Sequence, residues 1–155
     1  MRILDLLKPE AIKIGGTPKD KTDAIDQMIS LMVKENNISD VATYKKAVLD
    51  REKDISTAVE NGVAIPHGKS SAVKAPGLAA MTVPEGVDFN SVDGEPTTLI
   101  FLIAAPDSED NVHLQVLSRL SQLLVDPKVC GRLRAASSST EFLNIISEAE
   151  DAHLI

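Results

Sequence analysis

The sequence predicts an α/β domain in which helices pack in layers against one β-sheet. Segments with the 3.6-residue apolar period of helices alternate along the chain with short apolar runs of strand length. The chain has 155 residues and 43% hydrophobic content, which suits one compact domain whose core needs neither disulfides nor metals for stability. We therefore expect a single domain over residues 1–155.

The first strand and the first long helix are predicted close to the amino terminus. Residues 11–14 form a short apolar run that favours a strand. Thr17, followed by Pro18 and by Asp20 three residues on, predicts a capped helix start. The apolar stripe of this helix comprises Ile25, Met28, Ile29 and Met32.

A second helix is predicted from Ser39, whose hydroxyl can cap it, to the region of Arg51. Tyr44 and Val48 share one face of this helix, at the spacing of successive turns. It should end near Arg51 and Glu52, so the guanidinium stands at a helix end.

Three later apolar runs have strand length, namely Val63–Ile65, Leu78–Val83 and Leu99–Ala104. The last is uninterrupted, which is typical of a central strand buried on both faces. We expect the core of the sheet here.

Helices are predicted for the remainder of the chain. A helix from about residue 111 to 125 carries a stripe formed by His113, Leu117, Leu120 and Leu124. Asp126 followed by Pro127 starts a short helix, and Ser139 or Thr140 opens a last one.

Charge and cysteine content limit the function. The formal net charge of −7 gives no support to a nucleic-acid role, which calls for a basic surface. The single Cys130 cannot form an internal disulfide and has no companion cysteine or histidine near it, so we expect a buried apolar role. Without the long apolar stretch of a signal peptide or membrane span at the amino terminus, we expect a cytoplasmic protein that does not insert into the membrane.

The segment from Arg51 to Gly68 carries the chemistry. His67 follows an apolar strand, with an arginine and Thr57 upstream. Neutral imidazole is a competent nucleophile near its reference pKa of about 6.5, and guanidinium offers several fixed donors to a phosphoryl group. Pro66 would favour extended backbone and Gly68 a tight turn, which would present the imidazole at a strand end. This pattern favours phosphoryl transfer through His67, with Arg51 and Thr57 stabilising charge on the phosphoryl oxygens.

Each of these residues also has a plainer interpretation. His67 alone could be a turn residue, Arg51 a solvated cation paired with a nearby carboxylate, and Thr57 a turn residue whose hydroxyl bonds local backbone. His113 in the first turn of its helix feels the positive dipole end, which favours a neutral ring that can donate one hydrogen bond to phosphate. Considered alone, however, His113 at the head of an apolar stripe is more typical of a core histidine than of a functional one.

A metal site is not expected. Asp107, Glu109 and Asp110 could join the histidines, but their spacing gives no recognised ligand set, and a solvated loop is the favoured interpretation. His153, close to the carboxyl end, is expected to have no chemistry.

Several motifs occur in the order in which one family has them. "RE", "ST" and "AIPH" lie within residues 51–67, "PEGVDFNSVDGEP" precedes the predicted central strand, "FLIAAP" ends it, and "HL" follows at a helix start. The chain therefore resembles enzyme IIA of the phosphoenolpyruvate-dependent sugar phosphotransferase system (PTS), fructose/mannitol type.

The resemblance implies a single domain with a mixed β-sheet of about five strands flanked by helices. It implies that the phosphocarrier protein HPr donates phosphate to Nε2 of His67, and that an enzyme IIB receives it and passes it on with the membrane enzyme IIC during uptake of a sugar, with fructose favoured. In this scheme His113 orients His67 or its phosphate, Arg51 stabilises the phosphate and Thr57 hydrogen-bonds it. No cofactor or metal is implied.

Two departures from the family pattern keep other functions open. The family usually has a glycine-rich "TGIGNGIAIPH", and here Ala58 and Glu60 replace glycines. A side chain there would hinder a positive φ, and a carboxylate would repel phosphate. One alternative is a regulatory enzyme IIA of the nitrogen-related type, which uses the same histidine but binds target proteins according to its phosphorylation state. Another is a non-catalytic binding domain of the same fold.

Overall fold

The computed structural model describes residues 2–34, 38–54, 56–108 and 111–153, which form a mixed six-stranded sheet between two layers of helices. The helices are α1 (Ile3–Leu6), α2 (Lys21–Val33), α3 (Val41–Asp54), α4 (Val112–Leu124), α5 (Pro127–Ala135) and α6 (Ser139–His153). The strands are β1 (Leu7–Lys13), β2 (Ala58–Val59), β3 (Val63–Ala64), β4 (His67–Ser70), β5 (Gly77–Val87) and β6 (Thr97–Pro106). A 3-10 turn over Glu60–Gly62 joins β2 to β3.

The sheet confirms the predicted mixed α/β architecture. Its order is β1-β5-β6-β3-β2, and β4 also pairs with β6. β5 and β6 are antiparallel, β1 runs parallel to β5, and both β3 and β4 run parallel to β6. β2 folds back antiparallel on β3.

β3 and β4 occupy the same side of β6 and behave as one interrupted strand. Ala64 pairs with Ile100, and His67 resumes the pairing opposite Ile103. Pro66 lies in the break, where its lack of an N–H does no harm because its carbonyl oxygen still accepts the N–H of Ile103 at 3.0 Å.

β6 is the central strand, as its uninterrupted apolar sequence predicts. Phe101 and Ile103 belong to the core that α4, α5 and α6 cover, whereas Ile100 and Leu102 belong to the core that α2 and α3 cover. All four are at most 1% exposed, because successive side chains of a strand point to opposite faces and both faces are covered here.

The first strand and helix begin elsewhere than predicted. The strand starts at Leu7 rather than at residue 11, and helix α2 starts at Lys21 rather than at Thr17. Asp20 caps α2, because its side chain accepts the N–H of Asp23 at 2.8 Å. The aspartate next to the helix therefore takes the role that we predicted for Thr17.

The cap of α3 is also displaced by one residue. Asp40, not Ser39, accepts the N–H of Thr43, at 3.2 Å. The Ser39 hydroxyl instead donates to the carbonyl of Ala72 at 3.0 Å and ties this end of α3 to the loop after β4.

The carboxyl-terminal helices follow the prediction closely. The stripe of α4 differs in detail, since Leu117 is only half-buried while Val116 and Leu123 are buried. Cys130 is buried in the core as predicted, and burial raises the pKa of its thiol. Among the described residues no helix is long and apolar enough to cross a membrane.

Candidate active site

His67 is the first residue of β4, and its ring orientation is fixed by its own backbone. Nδ1 lies 3.0 Å from the carbonyl oxygen of Ile65. A carbonyl oxygen only accepts hydrogen bonds, so Nδ1 carries the proton of the neutral ring and donates it. This tautomer leaves the lone pair on Nε2, so Nε2 is the ring nitrogen that could act as a nucleophile.

The predicted tight turn at Gly68 is wrong. Gly68 lies inside β4 and does not need a left-handed backbone. A Cβ at this position would lie 2.8 Å from Cγ2 of Val48 and 3.0 Å from Cε1 of Tyr44. The glycine is required because α3 packs directly on the strand here, and this close packing sets the position of Arg51 relative to His67.

An open cleft of about 590 Å³ lies beside His67. It brings together His67 and two of the other predicted site residues, Arg51 and Thr57. The full lining comprises Arg51, Ser56, Thr57, Asn61, Ile65, His67, Leu117, Ser121, Leu124 and Val125. One wall, from α3 and the segment after it, is polar and cationic, and the opposite wall, from α4, is largely apolar.

Neighbouring residues of α3 face in different directions at this cleft. Arg51 is half-buried and lines the cleft, in the last turn of the helix as predicted. Glu52 is only 7% exposed and continues the buried stripe of Tyr44 and Val48. Sequence reasoning gave Glu52 no role, although its spacing of four residues from Val48 on the apolar face was a usable signal.

Thr57 is bound to this buried glutamate. The Thr57 hydroxyl makes a short hydrogen bond to Oε1 of Glu52, and the Thr57 N–H lies 3.3 Å from each carboxylate oxygen. Nζ of Lys21 lies 2.6 Å from Oε2 of the same carboxylate. We call Lys21, Glu52 and Thr57 the site cluster. Lys21 was also missed, because nothing in the sequence near it points to a residue 31 positions away in the chain.

His113 lies beside His67, in the first turn of α4 as predicted. The two imidazole rings stack with centroids 6.2 Å apart and an angle of 29° between their planes. Burial lowers the pKa of His113, and the neighbouring His67 and Lys69 lower it further. Its Nδ1 is buried and has no hydrogen-bond partner among the described residues. The ring therefore favours the neutral form.

In the segment where Ala58 and Glu60 replace the glycines of the family pattern, the left-handed backbone conformation occurs at two other residues. Positive φ angles occur at Asn61 (67°) and Gly62 (71°). Ala58 lies in regular β-structure opposite Ala64, so its side chain meets no conformational obstacle. Glu60 begins the 3-10 turn, and its side chain is outside what the structure describes.

The candidate metal ligands are not assembled into a site in the described part of the chain. No group of three or more His, Cys, Asp or Glu side chains there could hold a metal ion. Of the acidic loop, Asp107 is exposed, whereas Glu109 and Asp110 lie outside the described residues. For His153 only the helical backbone is described.

Fold and site together define a class of protein: an α/β domain that presents a histidine ring in an open cleft lined by an arginine. Solved structures share the fold. The crystal structure of nitrogen regulatory protein IIA-Ntr from Neisseria meningitidis matches with a TM-score of 0.84 and 30% identity over 92% of this chain and 97% of its own. Enzyme IIAMTL in its complex with phosphorylated enzyme IIBMTL from Escherichia coli gives 0.80 and 30% over 92% of this chain and 99% of its own.

Sequence comparison identifies the family. Residues 5–149 match the family "Phosphoenolpyruvate-dependent sugar phosphotransferase system, EIIA 2", and the chain belongs to it. The fructose-specific EIIA component of Haloferax volcanii is 34% identical over 90% of both chains, and a nitrogen regulatory protein of Escherichia coli is 33% identical over 97% of this chain and 92% of its own. The fructose-specific EIIABC component of Bacillus subtilis is 38% identical over 96% of this chain, which spans only 23% of that protein's length. The predicted family is thereby confirmed.

Proposed function

We propose that this EIIA domain is a phosphocarrier that accepts a phosphoryl group from phosphorylated HPr on Nε2 of His67 and passes it to an enzyme IIB. The observation that carries the proposal is the hydrogen bond from Nδ1 to the Ile65 carbonyl, which directs the lone pair of Nε2 outward. In the transfer, Nε2 forms a bond to phosphorus while the bond from phosphorus to HPr breaks and leaves its electron pair on HPr. The Nδ1 proton stays on the ring throughout.

Arg51 and His113 have different roles in this transfer. The guanidinium of Arg51 in the same cleft stabilises charge on the equatorial phosphoryl oxygens, which is what a loose phosphoryl-transfer transition state requires. His113, kept neutral by its surroundings, orients the ring of His67 or donates one hydrogen bond to the phosphate. The reaction needs no cofactor and no metal ion.

The relatives support sugar uptake as the purpose of this transfer. Two of them are named fructose-specific, and an enzyme IIA of the same family has been solved in complex with a phosphorylated enzyme IIB. We accordingly propose that residues 1–155 form one domain acting in the cytoplasm. It hands phosphate to a fructose-type IIB, and through it serves a membrane enzyme IIC.

The regulatory alternative has support of its own. Nitrogen regulatory proteins match the chain at similar identity and over most of their length, and one such protein is a close structural match. In this case the same His67 chemistry would control binding to target proteins.

Intact mass after incubation with phosphoenolpyruvate, enzyme I and HPr tests the proposal. We expect one acid-labile phosphate on the wild type, none on His67→Ala, and one on His153→Ala, the matched histidine control. Phosphate on His67→Ala would contradict the assignment. An unphosphorylated wild type would instead favour a non-catalytic binding domain. With purified phospho-HPr as the direct donor, chelators should leave transfer to this protein unchanged, and a requirement for zinc or magnesium at that step would revive a metal site.

A second experiment separates transport from regulation. The phosphorylated protein is mixed with a fructose-type IIB, and the phosphate on both proteins is followed by mass. Transfer within seconds supports the transport role. Retention of the phosphate on this protein, together with binding to other proteins that depends on phosphorylation, supports the regulatory role.

A further inference from the structure

Resting on the proposed function, we propose that Glu52 is a positioning residue for phosphoryl transfer. It acts by holding Thr57 and the segment around it as one wall of the cleft beside His67. The proposal deepens the role of the site, since neither sequence reasoning nor the family resemblance gives Glu52 a function.

The direction of the hydrogen bond assigns the roles. A carboxylate has only acceptors, so the hydroxyl and the N–H of Thr57 both donate to Glu52. A threonine has one hydroxyl proton, and this proton is therefore committed. While the bond to Glu52 persists, Thr57 cannot donate to a phosphoryl oxygen, and its contribution to the site is the placement of the wall.

Lys21 completes the arrangement by balancing charge. An isolated carboxylate under a phosphoryl site would repel the incoming group, and burying it alone would cost free energy. Nζ of Lys21 lies 2.6 Å from the carboxylate and also 5.3 Å from the centre of the Phe89 ring. The pair is therefore held in place and brings no unbalanced charge to the cleft.

Ser56, the residue before Thr57, holds the same wall of the cleft through two hydrogen bonds of its own. The Ser56 hydroxyl donates to the carbonyl of Phe89 at 2.5 Å and accepts the N–H of Ala58 at 3.0 Å. Ser56 lines the cleft on one side and, on the other, a second groove whose lining includes Lys21 and Glu52. Residues 56 and 57 thus form a wall between the cleft and the second groove, which we call the partition. Their hydrogen bonds to Phe89 and Glu52 hold the partition in place.

The positioning role and the direct role of Thr57 predict opposite results. If Glu52 positions the partition, Glu52→Ala and Thr57→Val slow transfer alike, and the double variant is no slower than either. If the hydroxyl of Thr57 binds phosphate directly, Glu52→Ala releases it and leaves transfer unchanged or faster, whereas Thr57→Val slows it.

The experiment measures the rate of phosphorylation by phospho-HPr as a function of HPr concentration. The variants are Glu52→Ala, Thr57→Val, their combination and the conservative Thr57→Ser. We expect kcat to fall about tenfold for both single variants and for the double, equivalent to one lost hydrogen bond, with KM for HPr little changed. Thr57→Ser should keep the wild-type rate. Asp50→Asn, an exposed acid on the same helix, is the charge control and should transfer normally.

A readout that does not require phosphate separates this proposal from the proposed function. A hydroxyl proton held by a buried carboxylate exchanges slowly with water, so the Thr57 hydroxyl should give an NMR signal in the wild type and lose it in Glu52→Ala. A wild type that takes no phosphate counts against the proposed function, and the hydroxyl signal then decides the Glu52–Thr57 assignment. Absence of that signal, additive rate losses, or a fast Glu52→Ala variant would overturn the proposal.

Discussion

Two buried glutamates lie in different parts of this molecule. Each carboxylate accepts a backbone N–H and pairs with a cationic side chain, but the segments that the two carboxylates hold are different. Glu52, on α3, belongs to the site cluster. Glu150 on α6 is 2% exposed, accepts the N–H of Ile3 at 2.9 Å and bonds Arg119 at 3.2 Å. With Arg2, whose Nε lies 3.7 Å from the carboxylate, these residues form what we call the terminal cluster.

The difference lies in what each carboxylate holds. The terminal cluster fixes α1 on α6 and is bonded to α4 through Arg119, and none of its residues is among those that line the cleft beside His67. The site cluster holds Thr57, which does line it. In both clusters a buried carboxylate with a cationic partner holds two chain segments together. We expect loss of Glu150 to reduce stability only, and loss of Glu52 to reduce both stability and phosphoryl transfer, because only Glu52 holds a residue that lines the cleft.

The largest expected effect is on the terminal cluster. Glu150→Ala leaves the Ile3 N–H and the Arg119 guanidinium without their acceptor, and we expect the free energy of unfolding to fall by about 3 kcal/mol. Urea unfolding measures this loss, and the rate of phosphorylation of the folded protein should stay at the wild-type level. Asp151→Ala, the adjacent exposed acid, loses only a solvent-exposed ion pair with Arg2, so it should lower the free energy of unfolding far less and leave transfer unchanged. A slowed transfer in folded Glu150→Ala would show that the two clusters are not separate.

The next effect is at Gly68, where packing and the site coincide. Gly68→Ala inserts a Cβ against Val48 and Tyr44, and overpacking of this kind costs about 2 kcal/mol. Because α3 must move away from β4 to relieve the contact, we expect phosphorylation at His67 to slow as well. Gly131→Ala is the matched control, since a Cβ there meets nothing within 4 Å and the residue lies in helix α5. It should stabilise the protein by about 0.5–1 kcal/mol without affecting transfer.

A smaller loss is expected at Tyr44, which joins the same helix to the central strand. Its hydroxyl donates to the carbonyl of Ile103 at 2.7 Å, and Ile103 is the strand partner of His67. Burial raises the pKa of the phenol, so the hydroxyl keeps its proton at neutral pH. Tyr44→Phe should cost about 1 kcal/mol in urea unfolding and slow transfer modestly. Ser39→Ala also loses a hydroxyl bond to a carbonyl, but its acceptor is Ala72 in the loop after β4 and not the strand partner of His67, so it should leave transfer unchanged.

These variants also mark what the sequence could predict. The central strand and the helices were predictable because apolar spacing follows directly from burial on one face or on two. The role of Gly68 was not, because a sequence does not distinguish a glycine needed for its backbone angle from one needed for space. The contact between Glu150 and the N–H of Ile3 joins residues 147 apart, and nothing local signals it.

The site was predictable in a similar way. The run of motifs around His67 indicated four residues, and the structure places Arg51 and Thr57 in its cleft and His113 beside its ring. Their roles in transfer stay predictions. Glu52 was overlooked because a glutamate at a helix end is usually solvated. Its spacing from Val48 indicated the buried face, but the three-dimensional contacts were needed to identify its partners, Lys21 and Thr57.

The smallest expected effect is on the pH dependence of folding stability, and it arises at His113, beside His67, and not in the terminal cluster. The pKa of His113 in the folded protein is lowered from its ordinary value of 6.5. As the pH falls below 6.5, the unfolded chain binds a proton at His113 before the folded protein does, so folding stability declines in this range. His113→Gln should remove this component, and its stability relative to the wild type should therefore improve as the pH falls from 8 to about 5.5. Urea unfolding across this range measures the trend, with His153→Gln as the control. Parallel stability curves for His113→Gln and the wild type would show that His113 titrates as it does in the unfolded chain.

Phosphorylation of His67 adds negative charge beside the ring of His113. It should therefore raise the pKa of His113, which an NMR titration of the phosphorylated and unphosphorylated protein measures.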